Sequence, residues 1–167
     1  MTERAARLAV ILDVSESDLS ALETAVAHVA DEYDHEENRV WEGVQALVML
    51  GYDESAIDTV LWELAAFSAE TGTDVGAVAE QIGTVARLFD VDLSDAQWGV
   101  EWVVDCSLAD VDDVCNVLVR VGPNVAADVS ALDELHHHLC VIRTAADSGS
   151  SMRAVARHLR RRGGDDE

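Results

Sequence analysis

In the stretch Leu64-Ala65-Ala66-Phe67-Ser68-Ala69-Glu70-Thr71-Gly72-Thr73-Asp74-Val75, an apolar helical run stops at Thr71-Gly72, and Asp74 stands ready to cap a new one. A short acidic side chain before an apolar run satisfies the free N–H groups of a first helical turn, which makes this a helix-turn-helix signal. The same punctuation recurs on both sides of it. Gly51-Tyr52-Asp53, Asp90-Val91-Asp92-Leu93-Ser94, Cys106-Ser107-Leu108-Ala109-Asp110, Asp128-Val129-Ser130 and Asp147-Ser148-Gly149-Ser150 each end in a residue suited to an N-cap.

Between these breaks, apolar residues recur at spacings of three and four and strict alternation is nowhere sustained, so helix is favoured throughout. The pattern predicts helices at 3–12, 17–33, 36–50, 54–70, 74–89, 94–105, 110–126, 130–145 and 151–162. Short turns between them imply an all-α array or bundle of about nine short antiparallel helices. From Asp53 onward the caps arrive about every 20 residues, a rhythm suggestive of a short solenoid.

A length of 167 residues suits one main core. The acidic run Asp31-Glu32-Tyr33-Asp34-His35-Glu36-Glu37 reads as a solvated turn separating an N-terminal helical pair, 1–34, from a larger helical domain, 35–162. Residues 163–167, Gly-Gly-Asp-Asp-Glu, read as a disordered acidic tail.

The net charge is −22, yet a hydrophobic fraction of 49% excludes intrinsic disorder. All 11 cationic residues are arginine. A carboxylate-rich, lysine-free surface fits an extreme halophile or its virus, because in 1 M salt the Debye length falls to about 3 Å and like charges barely repel. The alternative is a mesophilic acidic protein, such as a mimic of nucleic acid. Most of this surface is unsuited to DNA or an anionic membrane, both of which need clustered cations. No signal peptide or span of roughly 18 to 20 apolar residues is visible, so a soluble chain made in the cytoplasm, with no membrane anchor, is expected.

Cys106, Cys115 and Cys140 fit neither a disulfide framework nor a zinc ribbon and read as buried structural thiols. Of His136, His137 and His138, only His136 shares a helical face with Cys140, so no metal or other cofactor is expected. Trp41, Trp62 and the i, i+4 pair Trp98 and Trp102 are expected in the core. Phosphate loop, nucleophile elbow and zincin pattern are all missing from the sequence, and carboxylates are too abundant to mark catalysis, so no enzyme is expected.

The C-terminal segment reverses the sign of the charge. Arg153, Arg157, Arg160, Arg161 and Arg162 form a cluster suited to clamping an acidic partner chain, or to favouring a helix C-terminus. Nucleic acid is expected only through this cluster, because no recognition helix follows Met152–Leu159.

From 44 to 162 the chain resembles the conserved helical domain of the tail tape measure proteins of tailed phages and viruses. Leu64–Val75 followed by Val85–Ala96 is similar to that family's helix, threonine-glycine turn, helix and acidic turn. Ala109–Val114 leading to Val121-Gly122-Pro123-Asn124 resembles its next segment, and Val129–Leu135 with Ser148-Gly149-Ser150-Ser151 and Leu159-Arg160 resembles its end. Ala127 and Asp128 stand where the family usually has glycine before the serine cap, and Met152-Arg153-Ala154 replaces its Ala-Gly-Thr. The resemblance implies a structural virion component, docked in several copies on ring-forming tail tube or tail-tip subunits, serving tail assembly and genome delivery. A ruler sets length at 1.5 Å per residue, and this whole chain as one helix would span only about 250 Å. Its caps forbid even that, so a compact relative of the domain is expected rather than the ruler itself. The alternative is a halophilic acidic interaction or regulatory module with no virion role.

Overall fold

The computed structural model describes residues 15–123 and 129–162. Among them are eight helices and no strand: α1 (Glu16–Glu32), α2 (Glu37–Met49), α3 (Glu54–Thr71), α4 (Val75–Phe89), α5 (Leu93–Asp105), α6 (Val111–Val121), α7 (Ala131–Asp147) and α8 (Met152–Arg162). The expected helix at 3–12, the tail at 163–167 and the positions Asn124, Ala127 and Asp128 lie outside the described residues. None of the described helices is long and apolar enough to cross a membrane.

The predicted caps form local hydrogen bonds. Asp53 accepts from Ala56 N at 2.9 Å, Asp74 from Ala77 N at 3.2 Å, Asp110 from Asp113 N at 2.7 Å and Ser130 from Asp133 N at 3.2 Å. The start of α5 differs: Asp92 holds the N-cap and its side chain makes no capping bond. The prediction that α6 runs to 126 is also corrected, because Gly122 at φ 65° turns the backbone away and Pro123 cannot continue a helix.

Four helices end alike. The amide two residues past the last turn reaches back to a carbonyl five residues earlier: His35 to Ala30, Tyr52 to Leu47, Val91 to Ala86 and Ser150 to Ala145, at 2.9 to 3.1 Å. This closure needs a left-handed residue in between. Gly51 and Gly149 supply it at two ends, Asp34 (φ 55°) and Asp90 (φ 54°) at the others.

The chain divides into two compact units, 1–83 and 84–167, with the boundary inside α4. Residue 34, where the sequence reading divides the chain, lies between α1 and α2, which pack together within the first unit. In the first unit, α1 lays Leu22, Val26 and Val29 against α2 and α3, whose Val44, Leu47, Ile57, Leu64 and Phe67 are buried. Each such side chain contributes about 1.5 to 3 kcal/mol by leaving water. In the second unit, α5 packs on α6 and α7, and α8 packs on α6 and α7 through Val155, Ala156 and Leu159.

Two pairs of helices two apart in sequence, α2 with α4 and α5 with α7, run in the same direction. Gly43 lies against Val75 and Ala79 while Leu47 and Leu50 lie against Gly83. Trp98 lies against His136 while Trp102 lies against Arg143. Parallel helices two apart are what an array of sequentially antiparallel neighbours produces.

Candidate functional site

Two surfaces of the second unit gather the chemistry-bearing residues. The first is the arginine face of α8. Its buried positions Val155, Ala156 and Leu159 hold one side of the helix, which leaves Arg153, Arg157 and Arg160 on another at i, i+4 and i+7. All three are exposed. Arg160 is anchored, since its Nε and Nη2 donate to the carbonyl of Arg120 at 3.1 and 2.8 Å. That carbonyl belongs to the last turn of α6, where an acceptor has no helical partner and a cation opposes the negative end of the dipole. Among the described residues, Arg153 and Arg157 form no ion pair. Arg161 and Arg162 continue the helix, but their side chains lie outside the described residues.

The second surface was not expected. α5 buries Leu93, Ala96, Gln97, Val100 and Val103, which puts Trp98 and Trp102 on a different face. Trp98 is 58% exposed and Trp102 half-buried, a correction to their expected place in the core. Trp62 also reaches the surface, edge-on to His28 and Tyr33, and of the four tryptophans only Trp41 is buried. On α7 the buried stripe is Leu135, His138, Leu139, Ile142 and Ala146, so His136, Cys140 and Arg143 fall beside it.

Between the two helices lies a groove of about 200 Å³, lined by Trp98, Gly99 and Trp102 of α5 and His136, Leu139 and Cys140 of α7. Gly99 permits it: a Cβ there would stand 2.6 Å from Leu139 Cδ1. The indole of Trp98 meets the His136 ring edge-on at 6.0 Å. The guanidinium carbon of Arg143 sits 4.8 Å from the Trp102 ring centroid, a cation–π contact. His136 and Cys140 thus share a face, as their spacing predicts, but the rest of the lining is aromatic and aliphatic. Among the described residues, no group of three or more His, Cys, Asp or Glu is placed to hold a metal ion.

Cys106 and Cys140 are exposed and Cys115 is buried, so the expectation of three buried thiols is corrected at two of them. Cys106 caps the C-terminus of α5, and Cys140 lies off the apolar stripe of α7. Burial pushes the Cys115 thiol up to about 12, with the Asp112 carboxylate adding to it. The three histidines also separate. His137 is exposed, whereas His138 is buried, its Nδ1 2.9 Å from the Glu134 carbonyl and its ring edge-on to Phe89 at 5.6 Å. Burial holds the His138 imidazole below its ordinary 6.5, against the opposing pull of Glu134.

A charge pattern on α5 could have revealed the groove in the sequence. Asp95 and Asp105 fall at i−3 from Trp98 and i+3 from Trp102, the spacing of helical neighbours, so the tryptophan face carries carboxylates and belongs to water.

Comparisons of the chain with known protein families, with curated proteins and with solved structures find no match.

Proposed function

We propose that the chain is a non-enzymatic structural component of a virus tail, a compact relative of the tape-measure helical domain. In this reading it docks in several copies on ring-forming tail tube or tail-tip subunits during assembly and genome delivery. The carrying observation is the ordered motif series from Leu64 to Arg160, whose breaks coincide with helix ends at Thr71-Gly72, Phe89-Asp90, Val121-Gly122 and Asp147-Ser148. The short solenoid belongs to the same proposal, supported by packing between helices two apart in each unit. The extreme-halophile setting is supported by the charge of −22 with no lysine. Arg153, Arg157, Arg160, Arg161 and Arg162 are the proposed contact to an acidic tail subunit, and the exposure of Arg153 and Arg157 supports it.

Mass spectrometry of purified virions tests this: the chain is expected in the particle, in the tail fraction, and its absence from virions contradicts a structural role. A second reading, a free acidic interaction module, rests on the same arginine face. If deleting 153–167 abolishes association with a cellular partner while virus assembly is untouched, that second reading replaces the first.

A further inference from the structure

We infer that the Trp98–Trp102 groove is a docking site for an arginine-bearing segment of a partner protein. The inference stands apart from the tail reading, because it rests on the groove alone. Three observations converge on a guanidinium-rich occupant.

The first is the floor. Trp98 presents an indole that is 58% exposed, flanked by Leu139, Gly99 and Cys140, and an exposed tryptophan in a concave apolar setting is an anchor seeking a flat partner. The second is that the groove already holds one such pairing, since Arg143 lies 4.8 Å over Trp102. Trp98, one turn earlier on the same face, offers a second indole whose neighbour is the edge of His136 rather than a cation. Tryptophan has the strongest quadrupole for a cation, and arginine stacks on it better than lysine does.

The third is charge. Helical spacing puts Asp95 of α5 one turn before Trp98 and Asp133 of α7 one turn before His136, both at the Trp98 end of the groove. Because α5 and α7 run in the same direction, that end receives one carboxylate from each helix. An arginine stacked on Trp98 therefore lies within a helical turn of two carboxylates, Asp95 and Asp133, in a chain of net charge −22. Electrostatic steering brings a cationic segment to such a surface, and stacking retains it when salt screens the charges. A neutral or acidic helix gains nothing from the rim.

The test uses the full chain and a synthetic peptide of residues 151–162, Ser-Met-Arg-Ala-Val-Ala-Arg-His-Leu-Arg-Arg-Arg, as an arginine-bearing probe. A matched peptide carries Gln at each arginine. Isothermal titration calorimetry is expected to show the arginine peptide bound and the Gln peptide bound at least roughly tenfold more weakly. Trp98→Ala removes an exposed side chain, leaves the core intact by circular dichroism, and loses the binding. Asp95→Asn with Asp133→Asn weakens it at low salt and less at high salt. As an independent readout, in a Cys106→Ser background the arginine peptide slows modification of Cys140 by a thiol reagent, while Cys115 stays unreactive. Equal binding of the two peptides, or binding indifferent to Trp98, overturns the proposal. Self-association of the full chain that Trp98→Ala abolishes assigns the groove to a second copy and likewise overturns a partner protein.

Discussion

Asp34 and Asp90 hold left-handed backbone conformations that glycine adopts freely, and each sits where Gly51 and Gly149 close other helices. An L residue there costs on the order of 1 kcal/mol, and glycine relieves it while adding freedom to the unfolded chain. Asp90→Gly is therefore expected to raise stability by roughly 0.5 kcal/mol, seen as a higher denaturant midpoint with unchanged slope. A lower midpoint would mean that the carboxylate contributes something the local geometry does not explain. His138 gives a second test at this scale. Its folded proton affinity lies below the unfolded value of 6.5, so above pH 6.5 both states are neutral and its contribution is complete. As the pH falls below 6.5, the unfolded chain takes up a proton that the folded chain refuses, and stability is lost until the lowered folded value is reached. Between about pH 8 and pH 5 the natural chain should lose more stability than His138→Leu, measured by denaturant titration at each pH. Equal losses would contradict a buried neutral imidazole.

At the scale of the helix, caps carry the boundaries. Asp110→Ala removes the acceptor for Asp113 N and is expected to cost about 1 kcal/mol. Arg160→Ala releases the Arg120 carbonyl at the other end of the same helix. The two losses should add in the double variant, because the ends share no side-chain partner, and strong non-additivity in thermal melts would show the ends coupled. The helices were legible because Asp53, Asp74, Asp110 and Ser130 act within three residues of themselves, over distances a sequence pattern records. The groove was legible only in the carboxylates Asp95 and Asp105 beside its tryptophans, because α5 has two apolar stripes. One, Ala96, Val100 and Val103, is small enough for close packing; the other, the i, i+4 pair Trp98 and Trp102, has the same helical spacing and so reads equally well as core. Which stripe faces inward depends on how closely α7 approaches, a distance set by Gly99 against Leu139, 40 residues away. Cys106 and Cys140 also have apolar neighbours in sequence, yet one caps a helix end and the other lies off the buried stripe of α7, which leaves both exposed.

For the molecule as a whole, charge and assembly are the governing quantities. A surface of −22 with no lysine is expected to gain stability as salt screens its self-repulsion, so the melting temperature should rise from low to molar salt. A melting temperature that stays level or falls removes the halophile proposal without touching the fold. The tail proposal stands on different ground, the order of its helix breaks. Electron microscopy of particles made when this gene alone is disrupted tests it most directly. The account predicts particles without tails or with malformed ones, restored by the intact chain; normally tailed, fully infectious particles would contradict it.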